Sequence, residues 1–352
     1  MSDFRILHLI SEKPPINSGF ARAVGRVSDE LEKLGHEVDV LSAEDCYVKL
    51  VGDIKLVIGI GKIDEQLRGK YDIVNIHGNT PTFSDRLLVK STILKKKIVY
   101  SYHCPAANYL RPVSYVYNYL FDNLVIRVAD AVIVTTKSYY DRLKSLRRKY
   151  LIPWGVDTKM FSGRRILHNG YRVLYVGQVR PYKGLKVLLQ AMRGGYGELN
   201  IVGDGPDRPK LEKYAKKMGM RDVHFYGAVD DSDLRMMYLS NDVVVLPSVC
   251  VNEAFGLVTL EAAAAGCAVV ASDLPGLRDV VKEFGVLVRP KDIKALRDAL
   301  LRLKDSSERE KYVRKGFKVL EKYDWRRTAQ EYVKVYDDVL SAERRSSEKN
   351  SI

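Results

Sequence analysis

Asn252-Glu253-Ala254-Phe255-Gly256-Leu257-Val258-Thr259-Leu260-Glu261 is the stretch that decides how this chain is read. Two carboxylates stand eight positions apart around a Phe-Gly-Leu turn. An apolar run, Val243-Val244-Val245-Leu246, precedes them, and Ala262 to Ala265 with Gly266 follows. The expected order is a buried strand, a loop, then a short helix whose N-terminus faces the loop. Such an N-terminus with a glycine beside it suits an anionic group. Carboxylates nearby can accept hydrogen bonds from hydroxyls. Phosphate plus hydroxyls describes a nucleotide sugar. On one continuous helix the two glutamates would diverge by about 80° of arc, and Gly256 would sit mid-helix. A loop carboxylate (Glu253) and a first-turn carboxylate (Glu261) fit better. That weakens a glycosidase, whose two carboxylates must flank one bond at a fixed gap. An ordinary exposed helix glutamate plus a surface charge is the plainer alternative, with comparable weight on spacing alone.

Outward from this stretch, short apolar runs alternate with amphipathic patterns. Strands are expected at 4–10, 37–41, 71–76, 97–102 and 131–135, then at 171–176, 198–202, 222–226, 242–246, 267–271 and 285–288. Most are continuous Val/Ile/Leu runs, as in strands buried on both faces. Helical patterns fill the gaps, for example Ala21 to Leu34 closed by Gly35. The fold class is α/β: two Rossmann-like parallel sheets facing a cleft. Pro153-Trp154-Gly155, Ser162-Gly163 and His168-Asn169-Gly170 mark a break near 155–170. The expected domains are 1–160 and 161–324. A helix is expected over 325–342, and 343–352 is a polar tail. Ligands of such sheets bind at the carboxyl ends of strands.

Composition narrows the partners. The chain has 352 residues, with 46% hydrophobic and 29% charged side chains, which fits a globular protein of two domains. No apolar run approaches the ~18 residues of a transmembrane helix. The N-terminus enters a strand-like run directly, without a signal-peptide pattern, and Cys46, Cys104, Cys250 and Cys267 form no Cys-x-x-Cys. Cytoplasmic residence is the simple expectation. The formal net charge of +14 suits an anionic partner, against the plainer reading of a lysine-rich surface. Zinc spacings and aromatic-basic RNA signatures are missing, so nucleic acid is the weakest partner.

Four further constellations bear on chemistry. Val176-Gly177-Gln178-Val179-Arg180-Pro181-Tyr182-Lys183-Gly184 links a strand to a helix, Leu185 to Met192, and places cations at the strand's carboxyl end. Arg180 and Lys183 there can hold a diphosphate as it leaves. Gly203-Asp204-Gly205-Pro206 is a weak glycine signal without the third glycine of a dinucleotide site. Gly19, between the first strand and first helix, lets backbone approach a phosphate. His77 and His103 end strands, where side chains point into the cleft mouth. Cys104 beside His103 does not make a nucleophilic pair, because neighbours on extended chain point opposite ways.

Together these residues resemble a retaining nucleotide-sugar glycosyltransferase of the GT-B fold, in the group called family four. The resemblance covers nearly the whole chain. It rests on the Ser18-Gly19 loop, the histidine-bearing strand ends, Ile152-Pro153-Trp154-Gly155-Val156-Asp157, Lys183-Gly184, Gly203-Asp204-Gly205-Pro206 and above all the Glu253-to-Glu261 motif. Gly276-Leu277-Arg278-Asp279, Gly285-Val286-Leu287-Val288 and Tyr323-Asp324-Trp325 follow the same pattern. The resemblance implies Glu253 on hydroxyls of the donor sugar. Amides of Phe255, Gly256 and Leu257 would lie near sugar and diphosphate, with Glu261 on the ribose. Lys183 would neutralise the diphosphate, Gly19 would approach it, and His103 would sit at the reacting centre, with His77 on the acceptor side. It implies no cofactor and no metal; the donor would be a nucleoside diphosphate sugar such as a UDP- or GDP-hexose. Gln178 stands where the family has Arg, and Arg180 is expected to take over.

The implied reaction is hexose transfer to an acceptor hydroxyl with retention. Alternatives are a sugar-nucleotide-binding protein without turnover, or an epimerase or phosphorylase of the same fold. A nicotinamide dehydrogenase is disfavoured because Gly-x-Gly-x-x-Gly is incomplete. The acceptor is unknown. Ala107 to Val128 carries Tyr109, Leu110, Tyr115, Tyr119, Leu120, Phe121, Leu124 and Ile126, which with the basic charge suggests a surface for an anionic membrane or a lipid-linked acceptor. A helix packed on its own sheet is the competing reading, and the weightier one.

Overall fold

A computed structural model describes residues 3–12, 19–51, 54–106 and 111–349. The chain divides into two compact units, Met1–Gly155 with Trp325–Ile352, and Val156–Asp324. The division thus falls after Gly155, five residues before the expected 160, because the Pro153-Trp154-Gly155 turn itself ends the first unit.

In the first unit the order is β1 (Arg5–Ile10), α1 (Gly19–Lys33), β2 (Glu37–Ser42), β3 (Tyr47–Val51), β4 (Ile54–Gly59), α2 (Gly61–Leu67), β5 (Ile73–Gly78), α3 (Ser84–Ile93), β6 (Ile98–Tyr102), α4 (Arg111–Asn123), β7 (Ala131–Val134), α5 (Lys137–Arg142) and β8 (Lys149–Leu151). A parallel sheet runs β2-β1-β5-β6-β7-β8. β5 and β6 are buried along their whole length, which is why their sequences do not alternate. The antiparallel hairpin β3–β4 and the three-residue β8 were not expected. β8 is too short to show a period, and it pairs only as an edge strand.

The second unit runs α6 (Thr158–Phe161), β9 (Arg172–Val176), α7 (Leu185–Met192), β10 (Glu198–Val202), α8 (Arg208–Lys217), β11 (Val223–Gly227), α9 (Asp231–Leu239), β12 (Val243–Leu246), α10 (Leu257–Ala264), β13 (Ala268–Ser272), α11 (Pro275–Val281), β14 (Val286–Val288), α12 (Ile293–Arg302) and α13 (Ser306–Val319). Its parallel sheet has the order β11-β10-β9-β12-β13-β14. That is the doubly wound arrangement, whose strand order reverses between β9 and β12. Val173, Tyr175, Leu188, Leu189, Val243, Val245 and Leu300 belong to one core there.

The last helix, α14 (Trp325–Lys349), belongs to the first unit and packs on α1. Ala329, Tyr332, Val333 and Tyr336 form its buried stripe at helical spacing. Tyr336 Oη accepts from Asn75 Nδ2 at 2.8 Å and lies 3.3 Å from His8 Nε2. The helix does not give way to a tail at 343 but continues to Lys349. Five of the seven residues over 343–349 are Glu, Arg or Lys, which are good helix formers. Among the described residues, no helix is long and apolar enough to cross a membrane.

Candidate active site

In the second unit, chemistry gathers where the strand order reverses. After β9 the chain makes a 3-10 turn, Pro181–Lys183, and enters α7 through Gly184 in the left-handed conformation, φ 71°. A Cβ on Gly184 would lie 2.0 Å from the Pro247 carbonyl oxygen, so only glycine lets this loop approach the one after β12. Val249 N donates to Tyr182 O at 2.8 Å, joining the two loops by backbone.

That junction brings Lys183 to Glu253. Lys183 Nζ is 2.7 Å from Glu253 Oε2, and Ser248 Oγ donates to the same oxygen at 2.9 Å. Glu253 is 8% exposed and Ser248 fully buried. Burial alone would lower the Lys183 pKa, but the Glu253 carboxylate outweighs it and holds the ammonium above its ordinary range. Among the described residues Glu253 Oε1 accepts no hydrogen bond. One carboxylate oxygen is thus fixed by two donors while the other can receive a hydroxyl. Asn252 Oδ1, next in sequence, is buried without a partner among the described residues. Ser248 and Asn252 were not singled out from the sequence; their types are common in loops and their spacing to Lys183 is invisible there.

Glu261 departs from its expected place. Gly256 takes the left-handed conformation, φ 76°, and caps α10 so early that the helix starts at Leu257. Glu261 therefore lies in the second turn, not the first. The helix N-terminus does fall between the two glutamates. Thr259 Oγ1 returns to Gly256 O at 2.7 Å and closes the first turn. Tyr238 Oη, from the end of α9, donates to Glu261 Oε2 at 2.6 Å. Tyr238 is fully buried with its ring edge-on to Phe161. Nothing in the spacing of α9 pointed to it. Phe255 is buried and edge-on to Tyr323.

Arg180, expected to take over from Gln178, meets it directly: Arg180 Nε donates to Gln178 Oε1 at 2.9 Å. Gly205 has a packing reason of its own, since a Cβ there would sit 2.4 Å from Val179 O. Val179 N and Asp204 O bond at 2.9 Å, so the loops after β9 and β10 lie against each other.

In the first unit the histidines form one cluster. His77 Nδ1 and His103 Nε2 are 3.2 Å apart, their rings near-parallel with centroids 5.4 Å apart. One ring must donate and the other accept, so both cannot carry two protons in this geometry. Phe20 and Trp154 press on His103 at centroid distances of 5.0 and 4.8 Å, and His8 lies 4.9 Å from His77. His77 and His103, expected at strand ends pointing into the cleft mouth, are both buried. Burial pulls His8 and His103 down to about 3, and burial with its two neighbours lowers His77 far below its ordinary value. All three are neutral imidazoles at neutral pH. His77 Nε2 and His103 Nδ1 find no partner among the described residues. Gly19 opens α1 with open space around its Cβ position, while the loop at 13–18 lies outside the described residues.

Of the apolar stretch 107–128, Tyr109 and Leu110 lie outside the described residues. Phe121 and Ile126 are buried on their own sheet, whereas Val113, Tyr115, Val116, Tyr119, Leu120 and Leu124 are exposed. The packed-helix reading therefore holds for one side of α4 only.

Comparison with known proteins agrees with this architecture. Residues 17–160 match the family described as Glycosyltransferase Family 4, and 156–319 match Glycosyl transferases group 1. The phosphatidyl-myo-inositol mannosyltransferase of Mycobacterium tuberculosis is 31% identical over 78% of this chain and 75% of its own length. This chain is a family 4 glycosyltransferase. The enzyme of that name from Mycobacterium leprae is 37% identical, over 54% of this chain and 54% of its own length, so that match spans about half of each protein. Sucrose-phosphate synthase from Thermosynechococcus elongatus shares the GT-B fold, with TM-score 0.78 and 23% identity over 96% of this chain and all of that one.

Proposed function

We propose that this glycosyltransferase moves a hexosyl group from a nucleoside diphosphate sugar to an acceptor hydroxyl, with retention and without a metal. The observation that carries this reading is Glu253: Oε2 is held by Lys183 and Ser248 while Oε1 accepts no hydrogen bond among the described residues. A donor hydroxyl would bond Oε1. The α10 N-terminus would face the diphosphate with its amides. Glu261, steadied by Tyr238, would take the ribose hydroxyls.

In the chemical step the anomeric carbon–oxygen bond to the diphosphate breaks and a bond to the acceptor oxygen forms on the same face. The acceptor proton passes to the departing phosphate oxygen, so no side-chain base is called for. Charge growing on the diphosphate is met by the Lys183 ammonium, which Glu253 keeps protonated. Preorganised charge of this kind does the work a metal would otherwise do. Arg180 is the second cation in the same loop. His103, neutral, is the hydrogen-bonding residue the first unit offers to the substrates.

The acceptor we propose is lipid-linked, reached from the anionic surface of a membrane on its cytoplasmic side. The exposed apolar side of α4 and the relatives named for a phosphatidylinositol acceptor support this. A mannosyl donor is the first to test, on those names. The experiment is nucleotide release from UDP- and GDP-hexoses with and without membrane extract, with the product anomer read by NMR and EDTA added. Release unaffected by EDTA and an unchanged anomeric configuration are expected. Nucleotide binding without release would leave a binding protein. Neither binding nor release with any donor would overturn the reading.

A further inference from the structure

We propose that a cavity at the amino-terminal edge of the first unit's sheet binds the phosphodiester of an anionic phospholipid and anchors the protein to a bilayer. The cavity measures about 360 Å3. It lies between the 3-10 turn Val125–Val128 and the chain returning from α5, and Arg127, Arg147, Arg148, Ser145 and Asp130 contribute its polar lining. Asp130 precedes and Ala131 begins β7, whereas His77 lies at the carboxyl end of β5 in the same parallel sheet. The cavity therefore sits at the opposite edge of that sheet from the histidines.

Three observations meet there. Arg127, Arg147 and Arg148 are exposed, and among the described residues none of them is in an ion pair. The one other arginine nearby, Arg142, is by contrast tied to Asp122 at 2.6 Å. The lining sets one carboxylate against three guanidinium groups, and Asp130 Oδ2 accepts from Ile98 N at 2.8 Å. Three guanidinium groups so placed favour phosphate, which they grip through paired N–H donors.

The third observation is exposed apolar side chains on the turn that bounds the cavity. Leu124 precedes the turn and Val128 ends it, next in sequence to Arg127, and they are 61% and 45% exposed. Ile93, at the end of α3, is 69% exposed, and α3 packs on this turn. Apolar side chains next to unpaired arginines match a bilayer interface, where acyl chains lie directly beneath phosphates. A soluble anion would use the arginines and leave the apolar side chains in water. The charge of +14 draws the protein to the same surface from a distance.

This anchor rests on the lipid-surface part of the proposed function, not on the transfer chemistry. The test is co-sedimentation of the full chain with phosphatidylcholine vesicles and with vesicles containing phosphatidylglycerol. Wild type is expected on the anionic vesicles only. R127Q/R147Q/R148Q should weaken binding on the order of a hundredfold, since each basic side chain at such a surface gives about fivefold. The charge-matched control K213Q/K282Q/K318Q, exposed in the second unit, should lose less than threefold. L124S/V128S tests the apolar side chains and should also lose binding. Unfolding midpoints unchanged by these substitutions would show that the fold is intact. Equal loss in the control would reduce the effect to net charge and overturn the site, as would unchanged binding by the triple arginine variant. Competition by dilute glycerophosphate would mark a soluble-anion site instead and overturn the bilayer assignment. If wild type ignores anionic vesicles yet releases nucleotide, the anchor falls and the transferase reading stands.

Discussion

The two units carry their polar groups in opposite ways. The second keeps charge inside: Lys183 and Glu253 form a nearly buried ion pair locked by Ser248. The histidine cluster of the first excludes it: His8, His77 and His103 are buried as neutral rings, with Phe20 and Trp154 against His103. The difference follows from what stands nearby. A carboxylate within hydrogen-bond reach makes a buried cation favourable, while aromatic and imidazole neighbours only remove water. The Lys183–Glu253 cluster thus carries charge, and the histidine cluster carries none.

Breaking the charged side should have the largest effect. Glu253→Ala removes the hydroxyl acceptor and strands a buried ammonium. Turnover should fall at least a thousandfold, and stability by about 3–5 kcal/mol, the usual cost of leaving one buried partner alone. Steady-state kinetics with denaturant titration checks both. The double variant K183M/E253Q should recover most of the stability and none of the activity; recovery of activity would mean the pair is only structural.

Acid should break the neutral side next. The three histidines have folded pKa values depressed below the unfolded value near 6.5, so the unfolded chain binds more protons below that pH. Their stabilising contribution is complete above about pH 6.5 and is lost as pH falls towards 3. The slope is up to about 1.4 kcal/mol per pH unit for each ring. Urea midpoints from pH 7 to 5 should drop in wild type and drop less in H8N. A flat profile would place the rings in water.

The smallest effect sharpens the division of labour between the glutamates. Tyr238→Phe removes one bond to Glu261 and nothing from Glu253. Nucleotide affinity should weaken about threefold to tenfold, in line with about 1 kcal/mol for one hydrogen bond. The maximal rate should stay within twofold. Calorimetry of nucleoside diphosphate binding beside kinetics separates the two; a large loss of rate would put Tyr238 in the chemistry.

Much of this was legible beforehand, and for identifiable reasons. Continuous Val/Ile/Leu runs such as Val243 to Leu246 announce strands buried on both faces, and Gly35 announces a helix end. The Glu253-to-Glu261 motif, together with Lys183-Gly184 and Gly203-Asp204-Gly205-Pro206, carried the resemblance to the family. Gly256 itself misled on one point, because capping in the left-handed conformation starts α10 earlier than the alanine run suggested. Hairpin β3–β4 and the three-residue strand β8 were not singled out.

The sequence by itself determined the alternation of most strands and helices, a break in the range 155–170 and the residues that carry charge. These depend on local periodicity and on glycine or proline chemistry, which act over a few residues. Only the tertiary structure decided which side chains meet. Lys183 finds Glu253 seventy positions away because β9 and β12 are neighbours where the sheet order reverses. Tyr238 finds Glu261, and His77 finds His103, through packing that no spacing encodes. The charge state of each group then follows from those neighbours, since burial and partners set a pKa and residue type alone does not.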